Sequence, residues 1–199
     1  AVLTPGTDLY ENAHMHPLGE AGSATGDPAG LTLTTKGAVV VSLGGVGEIA
    51  IGKEDDFSLY RIHVGKRPTA VVADRDARFL YVANTFGDEI SIVDIDERKV
   101  VADISLGQQP ELSLVQRGER LFYNANLSHD SWMSCHSCHT DGHTNGLLND
   151  NFSDASFGAP KRILSLLGRK DTEPFAWAGT SSTLKAQIHK SLTQTMQGD

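Results

Sequence analysis

Between Leu31 and Gly107 apolar side chains fall on alternate positions, as in Val39, Val41 and Leu43 or Ile90 and Ile92, with small or polar residues between them. A period of two sends successive side chains to opposite faces of an extended chain, so these runs predict half-buried β-strands. The strands recur in a fixed order. Val40-Val41-Ser42-Leu43-Gly44-Gly45-Val46-Gly47-Glu48-Ile49-Ala50-Ile51 reappears from Tyr81 to Ile92, an offset of 41 residues, and Ile62-His63-Val64-Gly65-Lys66-Arg67-Pro68 reappears from Ile104 to Pro110 at an offset of 42. Gly44-Gly45 and Phe86-Gly87-Asp88 are the breaks at which the chain reverses into hairpins. Beyond Gln108-Gln109-Pro110, which reads as a linker, the spacing turns helical from Glu111: Leu114, Leu121 and Phe122 share one side, and Glu119 and Arg120 point outward. Near the end, Ser181 or Ser182 is placed to cap a helix whose apolar residues Leu184, Ile188 and Leu192 are four apart, with Met196 completing the stripe.

A repeat of about 40 to 45 residues built of strands and glycine turns has the length of one four-stranded propeller blade. The second copy, Phe79-Leu80-Tyr81-Val82-Ala83-Asn84-Thr85 followed by Ile90-Ser91-Ile92-Val93-Asp94, resembles the YVTN-type β-propeller repeat, and the likeness covers roughly Leu31 to Gly107. The expected architecture is a mixed two-domain chain: a loop-rich segment over 1–30, two antiparallel blades of a partial β-propeller over 31–110, and a mainly α-helical domain over 111–199. Propellers close with roughly four to eight blades, and one or two repeats bury too little on their own. The two blades are therefore expected to be the last of a longer propeller that has lost its start, or to dock on another chain.

Composition narrows the partners. The chain has 199 residues, 39% of them hydrophobic, which is ample for a globular core. Its net charge of -8, with acids and bases interspersed, argues against a nucleic-acid partner, which calls for a basic face. No apolar run reaches the length of a membrane-spanning helix, and the first residues lack the charged start and apolar core of a secretory signal. The expectation is that a leader has been removed or that the chain is an internal fragment.

The two cysteines lie in Cys135-His136-Ser137-Cys138-His139, a C-x-x-C-H word. Two thiols at this spacing can add to the two vinyl groups of a haem, and the histidine directly after the second thiol can ligate the iron. A structural zinc site would need two further ligands; no second C-x-x-C follows, and His139 and His143, though at H-x-x-x-H spacing, directly abut the second thiol instead of lying about 12 to 15 residues beyond it. A thioredoxin-like dithiol belongs between a strand and a helix, whereas this word sits in the polar, Gly- and Asn-rich stretch from Ser131 to Asp150. Haem c, covalently attached, is the expected cofactor, and its attachment implies a periplasmic or otherwise extracytoplasmic location. His14-Met15-His16 in the N-terminal loop also holds potential axial ligands, against the simpler reading of two surface histidines.

Arg117-Gly118-Glu119-Arg120-Leu121-Phe122-Tyr123, then Leu127-Ser128, then the haem word, resemble the haem-domain opening of the bacterial di-haem cytochrome c peroxidase and MauG-like family. The match continues through Phe157-Gly158-Ala159-Pro160-Lys161, Ser165-Leu166-Leu167, Phe175-Ala176-Trp177-Ala178-Gly179 and the segment from Leu184 to Met196. The resemblance implies a class I-like cytochrome c fold for 111–199. For the haem faces, Trp132, Phe157, Leu164, Leu167, Phe175 and Trp177 are the candidate cover, and Lys161 and Arg162 the candidate propionate partners. Met196 is the first candidate for the sixth iron position and His143 the second. Gln187 matches a glutamine that the peroxidases place on the distal side of their peroxidatic haem, which makes it the one catalytic candidate. Their nearby glutamate corresponds to Thr195, so an acid-base group is missing from its expected place. These peroxidases carry two haems, and only one C-x-x-C-H occurs here. The expected function is electron transfer to a redox partner protein, with two alternatives: a peroxidase or MauG-like oxidoreductase whose second haem domain lies elsewhere, and a propeller-based binding module with a structural or sensing haem.

Overall fold

The computed structural model describes residues 17–53, 56–150 and 158–198. His14, Met15, His16 and Phe157, named above as candidates, lie outside the described residues. Two compact units emerge. The first takes Ala29–Leu43 and Gly47–Gln108, and the second combines Gly22–Pro28, Gly44–Val46 and the chain from Gln109 onward.

The first unit contains two four-stranded antiparallel sheets, each wound up and down in sequence order, the topology of a single propeller blade. One comprises β1 (Pro28–Leu33), β2 (Ala38–Leu43), β3 (Glu48–Lys53) and β4 (Asp56–His63), and the other β5 (Pro68–Ala73), β6 (Phe79–Asn84), β7 (Glu89–Asp94) and β8 (Lys99–Ser105). The register decides which phase of the alternation is buried: Val39, Val41, Ile90 and Ile92 are half-buried, whereas Val40, Ser42, Ser91 and Val93 in the alternate positions are buried. Val40 pairs with Ile51 and Ile49 with Ile62, so these four side chains share one face of the first sheet. Val71 pairs with Val82 and Leu80 with Val93 on one face of the second. The two faces meet in a single core, in which Val40, Ile49, Leu80, Val82 and Val93 are wholly buried. β-branched side chains suit this pleated interface because their restricted χ1 fits between cross-strand neighbours. Tight hairpin ends are held by side chains: Asp94 accepts from the backbone N–H groups of Asp96 and Glu97 and from the Arg78 guanidinium.

The second unit is built mostly of short helical turns and loops. The helix expected after the linker forms as α1 (Leu114–Phe122), opened by a capping box in which Ser113 and Gln116 satisfy each other's backbone N–H groups. Its predicted apolar side is not a buried one. Leu114 is 85% and Leu121 54% exposed, whereas Phe122 of the same stripe is half-buried with its ring edge against His136, and Arg120, expected outward, is half-buried as well. The motif turn α2 (Cys135–Cys138) follows, then a two-stranded ribbon of β9 (Leu148–Asn149) and β10 (Lys161–Arg162), then α3 (Leu184–Lys190). The cap of α3 is Thr183, not Ser181 or Ser182, since Thr183 Oγ1 accepts from the Ala186 N–H whereas Ser181 is buried and bonded elsewhere. A π-helical turn, Ser191–Thr195, then widens the helix, so the stripe predicted through Leu192 to Met196 does not continue in α-helical register. No described helix is long and apolar enough to cross a membrane.

Candidate functional site

Cys135 and Cys138 stand three positions apart on one helical turn, a spacing that points both side chains to the same side. The turn is defined at both ends. Ser134 is its N-cap: its Oγ accepts from the His136 N–H at 3.1 Å, and its own N–H donates to Ser137 Oγ at 3.0 Å. At the far end the His139 N–H donates to the Cys135 carbonyl at 2.9 Å. Both thiols are half-buried and free. Burial pushes each thiol above its ordinary value, with smaller upward contributions from Asp27 at both and from the neighbouring Cys138 at Cys135, where a backbone hydrogen bond opposes the rise.

His139 follows directly. Its Nδ1 lies 2.9 Å from the Leu164 carbonyl. A carbonyl only accepts, so Nδ1 carries a proton, which in the neutral ring leaves Nε2 with the lone pair, the tautomer of a metal-binding imidazole held by a backbone partner. Leu164 is brought there by the strand-like run after β10, which lies along the loop beyond the motif: Thr144 Oγ1 donates to the Ile163 carbonyl, the Ile163 N–H to the Leu147 carbonyl and the Leu166 N–H to the Gly142 carbonyl. Asn145 ties the same loop back to the turn, its N–H on the Cys138 carbonyl and its amide on the Ser137 carbonyl.

The other sequence candidates are distributed unevenly. Exposed His143 presents its own carbonyl 3.4 Å from His139 Nδ1, which puts its backbone behind the protonated nitrogen rather than before Nε2. Met196 is buried, and its carbonyl accepts from the His129 N–H at 2.9 Å, which pins the end of the π-helical turn beside the segment that leads into the motif. Gln187 has both ends of its amide occupied: Oε1 accepts from buried Ser181 and Nε2 donates to Ser191. Trp132 is 60% and Trp177 54% exposed, Trp177 donating its indole N–H to the Arg162 carbonyl, while Phe175 is buried and Leu164 half-buried. Half-buried Lys161 donates to the Ala159 carbonyl. Leu121, Trp132, Leu167, Trp177 and Ile188 are large exposed apolar side chains of this unit.

One participant carries no local signal in the sequence. Asp27 reaches the motif across more than a hundred residues and accepts hydrogen bonds from both Ser134 and Ser137, the latter at 2.6 Å. The His136 ring lies tilted against Tyr123, ring centroids 4.7 Å apart, with Asp27 at 3.6 Å from one ring nitrogen and Asp141 at 3.5 Å from the other. Among the described residues no three His, Cys, Asp or Glu side chains are grouped as a metal-ligand set.

Residues 113–198 match the family model of the di-haem cytochrome c peroxidases. No curated protein matches the chain. Among solved structures, hydrazine synthase of Kuenenia stuttgartiensis is similar at 20% identity and a TM-score of 0.40, over 57% of this chain and 30% of that one. Virginiamycin B lyase of Staphylococcus aureus is similar at 15% identity and a TM-score of 0.37, over 42% of this chain and 28% of that one. A streptogramin B lyase follows at 17% identity and a TM-score of 0.35, over 40% and 26%. The chain thus spans less than a third of the length of each of these solved chains.

Proposed function

We propose that the second unit is a c-type cytochrome domain, that it holds one haem through Cys135, Cys138 and His139, and that the chain works in electron transfer outside the cytoplasm. The observation that carries this reading is the His139 ring: Nδ1 is committed to the Leu164 carbonyl, so Nε2 is presented as a ligand beside two thiols on one turn. The donor set fits haem c. Two half-buried thiols suit thioether formation, and the exposed Trp132, Leu167 and Trp177 of the same unit suit the apolar faces of a porphyrin. Bound haem supplies a one-electron couple at its iron. Met196, buried and anchored, is the preferred sixth ligand, and His143 stands second because its backbone lies on the Nδ1 side of His139. The β-sheet unit is read as part of a YVTN-like propeller whose remaining blades belong to the same or another chain.

A second reading follows from the family match, a peroxidase or MauG-like enzyme completed by a second haem domain elsewhere. Gln187 weighs against it, since both polar ends of its amide already have partners, and Thr195 offers no titratable proton. Intact-mass measurement decides first: the chain is expected to carry one haem added at the two thiols. A low-spin ferric spectrum indifferent to peroxide is then expected, and a high-spin spectrum that reacts rapidly would favour the enzyme. A chain of unmodified mass and no Soret band would overturn both readings.

A further inference from the structure

The stretch Gly22–Pro28 belongs to the motif's unit although more than a hundred residues separate the two in sequence. Its attachment is close and specific. The Ala24 and Gly26 N–H groups donate to the Asp130 and Ser131 carbonyls, and the Gly22 N–H donates to the Asp130 carboxylate. A Cβ at Gly26 would collide with Ala125 and the Ser131 carbonyl, so the backbone approach itself requires glycine. This anchorage delivers Asp27, in a left-handed conformation at φ 54, to the N-terminal end of the motif turn. Its side chain is 11% exposed.

From this arrangement we infer that Asp27 is the positioning residue of the C-x-x-C-H turn, acting through Ser134 and Ser137 on the thiols and on His139. An ionised carboxylate can only accept, so each serine hydroxyl must spend its single proton on Asp27. With those protons committed, both hydroxyl oxygens face inward as acceptors, Ser134 for the His136 N–H and Ser137 for the Ser134 N–H. The carboxylate therefore sets the polarity of the whole cap. An amide at this position would turn a donor toward one hydroxyl, whose own proton would then lose its acceptor and whose oxygen would be asked to accept from the amide in competition with the backbone N–H. Hydrogen bonds to a charged group are also about twice as strong as neutral ones, so the turn is held more tightly than its four residues would achieve alone. The same buried negative charge, fixed beside the attachment turn, favours the more positive oxidation state of an iron held there.

This inference rests on the haem reading, and the experiment separates the two. Wild-type chain, Asp27→Asn, Asp27→Ala, Ser137→Ala and the exposed-carboxylate control Asp171→Asn are each produced with haem attachment machinery. Intact mass gives the fraction carrying haem, circular dichroism the fold, and redox titration of the loaded fraction the midpoint potential. A wild-type chain without haem would sink the haem reading itself. With a loaded wild type and control, Asp27→Asn and Ser137→Ala are expected to load severalfold less haem, and the loaded Asp27→Asn fraction to titrate at a higher potential than wild type, a shift that a merely structural contact would not produce. Adding Ser137→Ala to Asp27→Ala is expected to cost little more, because the two act as one unit. Full loading of Asp27→Asn, or an unchanged potential in its loaded fraction, would overturn the assignment. Should Asp27→Ala fail to fold, Asp27→Asn and Ser137→Ala decide alone.

Discussion

At the scale of single residues, acids in this chain do structural work through what they accept. Asp94 is buried at the end of β7, and its carboxyl is held below the usual carboxylate range chiefly by the Glu97 N–H, with burial opposing and the Arg78 guanidinium and Asp96 N–H adding to the depression. A depressed pKa in the folded state contributes stability that is complete above the unfolded value and is lost as pH falls through the folded one. Asp94→Ala is therefore expected to lower the urea midpoint at neutral pH. The gap to wild type should close as pH drops below about 4, where the unfolded carboxyl protonates. A gap that persists unchanged at pH 2.5 would mean that packing, not charge, is what Asp94 supplies. His139 shows the complementary case, where a carbonyl supplied by a remote residue selects the tautomer of a ring that the local sequence merely names.

At the scale of elements, identical repeat positions meet different surroundings. Ile62 on β4 and Ile104 on β8 are equivalent in the repeat, yet Ile62 is 7% and Ile104 46% exposed. The first sheet turns this face onto the second, while no described residue covers the same face of the second sheet. Ile62→Ala is expected to cost about 2–5 kcal/mol in chemical unfolding, the range for emptying a core position. Ile104→Ala should fall within about 0.5 kcal/mol of wild type in the same assay. Equal losses would show that the outer face is covered in solution. The same limit explains the helices. Leu114 and Leu121 are spaced for burial, and the residues that could cover them are not named by spacing. The π-helical turn before Met196 likewise has no signature in the apolar period, because its widening is stabilised by tertiary bonds such as the one from the His129 N–H.

At the scale of the whole molecule, the net charge of -8 sets the long-range field. Electrostatic steering raises encounter rates between opposite charges and fades as salt shortens the screening length. Once loaded with haem, the reduced chain is expected to be oxidised by a cationic cobalt complex at a rate that falls with ionic strength, and by ferricyanide at a rate that rises. Stopped-flow traces over a salt series check this, and identical slopes for the two oxidants would show that the exchange site does not feel the global charge. Alternation and the repeat offset were enough to predict antiparallel strands in two repeated sets, because strand burial has a period of two and each set is local in sequence. The motif named its own residues for the same reason, since Cys135 to His139 need only one turn to come together. What folding alone decided is every partner that arrives from far along the chain: Asp27 on the cap, Leu164 behind His139 and Ser181 on Gln187. Hydrogen bonds between distant segments leave no periodicity, as their geometry depends on where loops close rather than on the spacing of neighbours.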